Sequence, residues 1–155
     1  MMKPPAPRLE LSFSLIVDLG DPIELGAGRA GRRRIIPIVG GKALGPDIHG
    51  RVLNLGADWQ TIHADGAAHL DTRYGIETQD GAVIEVINIG SRHGPAEVMA
   101  RVAAGEAVDP ADYYMRTTAR LETGDARYAW VNPMIFVGTG LRRASSVEID
   151  FHKVL

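Results

Sequence analysis

Acidic, basic, amide and aromatic side chains crowd one stretch of this chain, Gly40 to Gly90, which carries Asp58, Trp59, Asp71, Arg73, Tyr74, Glu85 and Asn88. A sheet that only had to fold would place apolar residues on one face and solvating residues on the other. Brought together in a sheltered place, these groups bind a small polar molecule and transfer protons. An aspartate whose pKa burial raises toward neutrality acts as a base, an arginine stabilises an enolate or carboxylate, and a tyrosine donates a proton or a hydrogen bond. Asp58, Asp71 and Tyr74 are therefore the candidate catalytic residues. Trp59, Arg73 and Asn88 are candidate ligand contacts, and Arg116, Trp130 and Asn132 from later strands are the candidate opposing wall. The two tryptophans suit the apolar part of a ligand.

Register decides which of these groups meet. Between Ala68 and Thr78 one face carries His69, Asp71, Arg73 and Glu77, and the other Leu70, Thr72, Tyr74 and Ile76. A solvated charged face over an apolar one accounts for that alternation by itself, and it turns Tyr74 inward, where a phenol needs a partner. A slip of one residue reverses every assignment.

The elements that must position these residues are strands. Leu9, Leu11, Phe13, Leu15 and Val17 alternate with mostly polar residues, and Val147, Ile149 and Phe151 alternate with Glu148, Asp150 and His152, which suits two edges that meet. Further strands are expected at Arg33–Val39, Ile48–Leu55, Trp59–Ala64, Ala68–Thr78, Val83–Ile89, Tyr113–Glu122, Tyr128–Val131 and Met134–Leu141. Val83–Ile89 is apolar on both faces and reads as an inner strand. Asp80-Gly81 is a strong hairpin signal, Asp65-Gly66 and Gly124-Asp125 act similarly, and Gly40-Gly41 and Gly45-Pro46 interrupt the chain. Pro95 to Ala104, rich in helix formers and followed by Gly105, predicts one short helix, either covering a barrel end or crossing over the surface. The fold expected is all-β: a compact antiparallel β-barrel, lipocalin-like or a related small barrel, forming one domain over residues 1–155 with residues 1–8 a flexible N-terminal segment.

Bulk properties narrow the chemistry. The chain has 155 residues, 45% hydrophobic and 23% charged, with net charge −2. That balance gives no support for nucleic-acid binding, and the basic run Arg32-Arg33-Arg34 reads as a solvated approach to a strand. There is no cysteine, which excludes disulfides and thiolate catalysis. Gly26-Ala27-Gly28-Arg29-Ala30-Gly31 spells a dinucleotide fingerprint, but no strand–turn–helix context surrounds it, so it reads as a flexible loop. His63, Asp65, His69 and Asp71 lie close together, yet the first two flank a turn and a third ligand would have to come from elsewhere. No metal and no cofactor are expected. No membrane segment is read, the N-terminus lacks a signal-peptide core, and the location expected is cytoplasmic. An exposed edge such as Leu9–Val17 makes a homodimer the expected assembly.

Gly40-Gly41, Gly45-Pro46, Gly56-Ala57-Asp58-Trp59, Tyr74, Asp80-Gly81-Ala82, Asn88-Ile89-Gly90, Tyr114-Met115-Arg116-Thr117 and Tyr128-Ala129-Trp130-Val131-Asn132 resemble, in order and spacing, the DUF3237 family, also called the UPF0311 proteins. The resemblance covers nearly the whole chain and implies a compact antiparallel barrel of largely unassigned function. It departs at Met115, where the family pattern usually has an aromatic residue. The family supplies no catalytic set, so the site rests on the residues themselves. Two functions follow: a cofactor-free isomerase, dehydratase or cyclase working by proton transfer on an oxygenated metabolite, or a carrier that binds such a molecule without chemistry.

Overall fold

The structure, a computed structural model, describes residues 1–155. Strand β1 (Leu9–Leu19) buries Phe13, Leu15 and Val17 at every second position, the period of a strand with one face in the core. Strand β10 (Ser146–Val154) does the same with Ile149 and Phe151, and the two strands pair antiparallel from Leu9–Val154 to Asp18–Ser146. Between them lie β2 (Ile23–Ala27), β3 (Arg32–Leu44), β4 (Gly50–Val52), β5 (Ala57–Ile62), β6 (Ala68–Thr78), β7 (Val83–His93), β8 (Tyr114–Glu122) and β9 (Phe136–Arg142). Pairing runs β1–β10–β9–β8–β7–β6, then through β4 and β5 to β3, which returns to β1. β4 and β5 both bridge β3 and β6 and make one broken stave, so the ring is a closed antiparallel barrel of eight. β2 lies outside the ring; it pairs with β3 alone.

Several elements differ from the sequence expectation. β3 continues through Gly40-Gly41, because Gly41 adopts φ +138° and a Cβ there would collide with the Ile16 carbonyl; glycine admits the close approach instead of ending the strand. The register against β1 passes from Leu19–Ile38 to Asp18–Gly40 and leaves Val39 as a bulge. Ile48–Leu55 contracts to the three residues of β4, and Gly56, at φ +85°, turns the chain into β5. Tyr128–Val131 is not a strand. It lies in a 3-10 turn, Ala126–Val131, where the Arg127 amide donates to the Asp125 carboxylate. The outer face of β7 is open at Val83 and Ile89, so that strand is buried on its inner side only.

The barrel has two unlike ends. At one, Ile48 from the β3–β4 loop and Val131 from the 3-10 turn close over Phe13, Phe136 and Phe151. Phe13 stacks on Phe151 at 5.0 Å. Lys153 ties this end together by pairing with Asp47 at 2.9 Å, and Asp47 also accepts from the Ser12 hydroxyl at 2.8 Å. At the other end sits helix α1 (Ala96–Ala103). Pro95 presets its entry and Gly105 (φ +79°) its exit, and its Val102 packs with Val108, Tyr113, Met115, Ala68 and Leu70. Of the two placements open to it, the helix takes the one that covers a barrel end. No helix is long and apolar enough to cross a membrane. Residues 1–8 are exposed, but Arg8 exchanges two backbone hydrogen bonds of 2.8 Å with Leu155.

Candidate functional site

Strand alternation sends a layer of polar side chains into the barrel between its two apolar clusters. Asp58 and Gln60 come from β5, Thr72 and Tyr74 from β6, Asn88 and Arg92 from β7, and Thr117 from β8. They line an interior cavity of about 40 Å³. By that measure a single water needs roughly 10–15 Å³, so the chamber holds only a compact group. Two glycines on β9 make room for its wall: a Cβ at Gly138 would collide with Thr117 and one at Gly140 with Met115.

Asp58 is the carboxylate inside. Its Oδ2 accepts from Gln60 Nε2 at 2.6 Å and its Oδ1 from the Asp71 amide at 3.0 Å. Gln60 Oε1 in turn accepts from Arg34 Nε at 2.8 Å, which fixes the carboxamide's direction. The ion pairs of this chain use other carboxylates, Glu77, Asp80 and Asp47 among them. Burial raises the Asp58 pKa above the ordinary value of 3.8, against the opposing pull of its two hydrogen bonds and of Arg92 and Arg34. Arg92, only 8% exposed, makes neither an ion pair nor a side-chain hydrogen bond, and burial followed by repulsion from Arg142 and Arg34 lowers its pKa to about 10. The Tyr74 hydroxyl, Asn88 Oδ1 and Thr117 Oγ1 are buried and bonded to no protein group. Burial pushes the Tyr74 phenol upward, so it keeps its proton and stays a donor. Unpartnered polar atoms in native interiors are uncommon, and here three converge on one chamber.

The chamber lies under an outer hollow of about 220 Å³, lined by Leu19, Pro22, Arg34, Val102, Arg142 and Ala144, among others. Leu19 and Arg142 border both spaces. The hollow sits where β1 ends and the chain bends into β2, beside the β9–β10 turn. The Leu19 amide donates to the Ser145 carbonyl at 3.0 Å just where the two parts of the wall separate. Arg142 is held at this threshold. Its amide donates to the Tyr113 hydroxyl at 2.9 Å and its guanidinium to the carbonyls of Ser146, at 3.1 Å, and Arg143.

The residues singled out from the sequence divide cleanly. Asp58, Tyr74 and Asn88 line the chamber. Asp71 and Arg73 lie on the outer face of β6, and only the Asp71 backbone reaches the site. Trp59 is 37% exposed and shares an outer groove with Arg73, Leu55 and Val83. Arg116 points outward over the Tyr114 ring at 5.4 Å. Trp130 packs on Phe136 at the closed end, with Lys153 above it at 5.5 Å. Asn132 uses both ends of its carboxamide on the Thr123 backbone, at 2.9 and 3.0 Å, and pins the 3-10 turn to β8. The sequence expectation omitted Gln60, Arg34, Arg92, Arg142 and Thr117. A signal existed for two of them: Arg92 keeps the parity of Asn88, and Arg34 that of Ile36 and Ile38, but each sat in a segment taken as solvated.

Residues 7–154 match the family model described as "Protein of unknown function (DUF3237)". The UPF0311 protein RPA1785 of Rhodopseudomonas palustris is 44% identical over 151 residues, 96% of this chain and 99% of that protein. Its crystal structure superposes with TM-score 0.92 at 42% identity, covering 99% of this chain and 100% of that one. A "beta-barrel like protein" (ABAYE2633) from Acinetobacter baumannii AYE gives TM-score 0.89 at 42% identity over the whole of both chains. A protein from Penicillium herquei described as an enzyme shares the fold, with TM-score 0.75 at 22% identity over 100% of this chain and 99% of its own.

Proposed function

The chain belongs to the DUF3237 family, and from the polar chamber of its barrel we propose an enzyme that transfers a proton on a small oxygenated organic molecule, with Asp58 as the base, by isomerisation, dehydration or cyclisation. One observation carries the reading: a carboxylate buried in an interior chamber, pushed toward higher pKa, paired with no arginine and held in orientation by Gln60 and the Asp71 amide. Each Asp58 oxygen spends one lone pair on those bonds and keeps another for a substrate proton. The Tyr74 hydroxyl is a neutral donor for a developing oxyanion, and the Arg92 guanidinium adds positive charge in a water-poor setting where it acts strongly. Apolar walls from Val17, Ile38 and Ile149 shelter the intermediate.

The test compares Asp58→Asn with Asp71→Asn on a panel of hydroxy-ketones and aromatic metabolites. The first variant should lose turnover by on the order of 10²- to 10⁴-fold, the usual size of a general-base contribution. The second, altered on the outer face, should keep it. Unchanged turnover in Asp58→Asn removes the base from the scheme. A carrier is the second reading, favoured by the two guanidiniums, Arg92 and Arg34, that oppose the rise of the Asp58 pKa. It predicts saturable binding of panel compounds that are recovered chemically unaltered.

A further inference from the structure

The interior charge of this barrel is unbalanced. Arg34, Arg92 and Arg142 stand close enough to act electrostatically on one another and on Asp58, the carboxylate facing them. Arg34 and Arg142 have acceptors on the protein, the Gln60 carboxamide for the first and two turn carbonyls for the second. Arg92 has none, although it is nine-tenths buried and borders the chamber. A guanidinium carries five donor hydrogens in a planar fork, and leaving it buried and unpaired is costly. Beside it, Asn88 Oδ1 is a buried acceptor with no donor, and Tyr74 and Thr117 add hydroxyls with no partner.

We propose that the ligand of this chamber is a hydroxy- or oxo-carboxylate, its carboxylate held by Arg92 with Arg142 at the threshold, and its adjacent oxygen against Asn88, Tyr74 and Thr117. This proposal rests on the chamber being the ligand site and deepens that reading. A carboxylate offers the planar pair of acceptors that a guanidinium fork matches. A hydroxyl offers Asn88 Oδ1 the donor it lacks, and an oxo group accepts from Tyr74. The chamber admits only such a compact head, and the rest of the ligand lies in the hollow between Pro22, Val102 and Ala144. Arg34 and Arg142 outnumber the one acid of its lining, Asp21, so the way in carries a net positive charge that draws anions toward the chamber.

Calorimetric titration with three probes tests this: mandelate, its neutral methyl ester, and phenylacetate, which lacks the hydroxyl. Mandelate should bind on the order of tenfold to a hundredfold more tightly than the ester, the worth of a charged hydrogen-bonded contact, and more tightly than phenylacetate. Arg92→Gln should abolish the preference for the acid. If that variant does not fold, Arg142→Gln should reduce the preference. Asp58→Asn should strengthen mandelate binding, because it removes the one negative charge in the chamber. Equal binding of acid and ester overturns the proposal, and so does the absence of binding by all three probes. Those results leave the role of Asp58 untouched, whereas full turnover in Asp58→Asn removes the base and leaves the carboxylate site standing.

Discussion

At the scale of single residues, the chamber trades stability for polarity. The Tyr74 hydroxyl bonds to no protein group, so Tyr74→Phe should leave the melting transition within about 1 kcal/mol of wild type, or raise it, while ligand affinity falls. A large loss of stability would mean that the hydroxyl is bonded in the resting protein. Asp58 gives a prediction with a sign. Burial raises its folded pKa above the unfolded value of 3.8, so between the two values the native state holds a proton that the unfolded chain has released. Its contribution to stability is fully present below the unfolded value and is lost as pH rises through the folded one. The difference in unfolding free energy between wild type and Asp58→Asn should therefore decline across that window, by at most about 1.4 kcal/mol per pH unit. Denaturant titrations at a series of pH values measure the slope, and a difference that stays flat contradicts the assigned shift. Which residues were legible from sequence follows the same logic. Tyr74 and Asn88 declared themselves because a phenol and a carboxamide sat among apolar neighbours of the same parity. Arg92 did not, because an arginine beside Ser91, His93 and Gly94 looks like a loop, and only the continuation of β7 to His93 turns it inward.

At the scale of elements, alternation was readable and irregularity was not. The pairing of β1 with β10, the length of β6 and the helix after Pro95 all follow from period and punctuation. The passage of β3 through Gly40-Gly41 and the 3-10 turn that replaces a strand at Tyr128 depend on tertiary contacts: the Ile16 carbonyl in one case, and Asn132 clamped on Thr123 in the other. Gly41 and Gly40 separate these effects. Gly41→Ala forces a side chain into φ +138° and against a neighbouring carbonyl, and should cost about 1–3 kcal/mol or more. Gly40→Ala, with only the Asp18 carboxylate at 3.8 Å in its way, should cost far less. Thermal melts of the two variants decide it, and equal losses would contradict the bulge geometry.

At the scale of the whole molecule, the barrel divides along its length: one end is closed by apolar side chains, and the chamber takes its polar groups from β5 to β8 and its apolar wall from β1, β3 and β10. Ile48, fully buried in the closed end, is the place to test that division. Ile48→Ala should cost about 2–5 kcal/mol of stability, yet at temperatures where the variant is folded it should bind ligand like wild type. A matched loss of affinity would mean that the two ends are not independent. The outlying strand β2 gives the molecule a clock. Paired on one flank only, its amides are released by a local fluctuation, while those of β6 and β7, paired on both sides, wait for global unfolding. Because the hollow is lined by the bend that leads into β2, a molecule resting on that bend should slow deuterium uptake at Ile23–Ala27, and uptake unchanged at saturating mandelate would mean that the bend and the strand fluctuate independently.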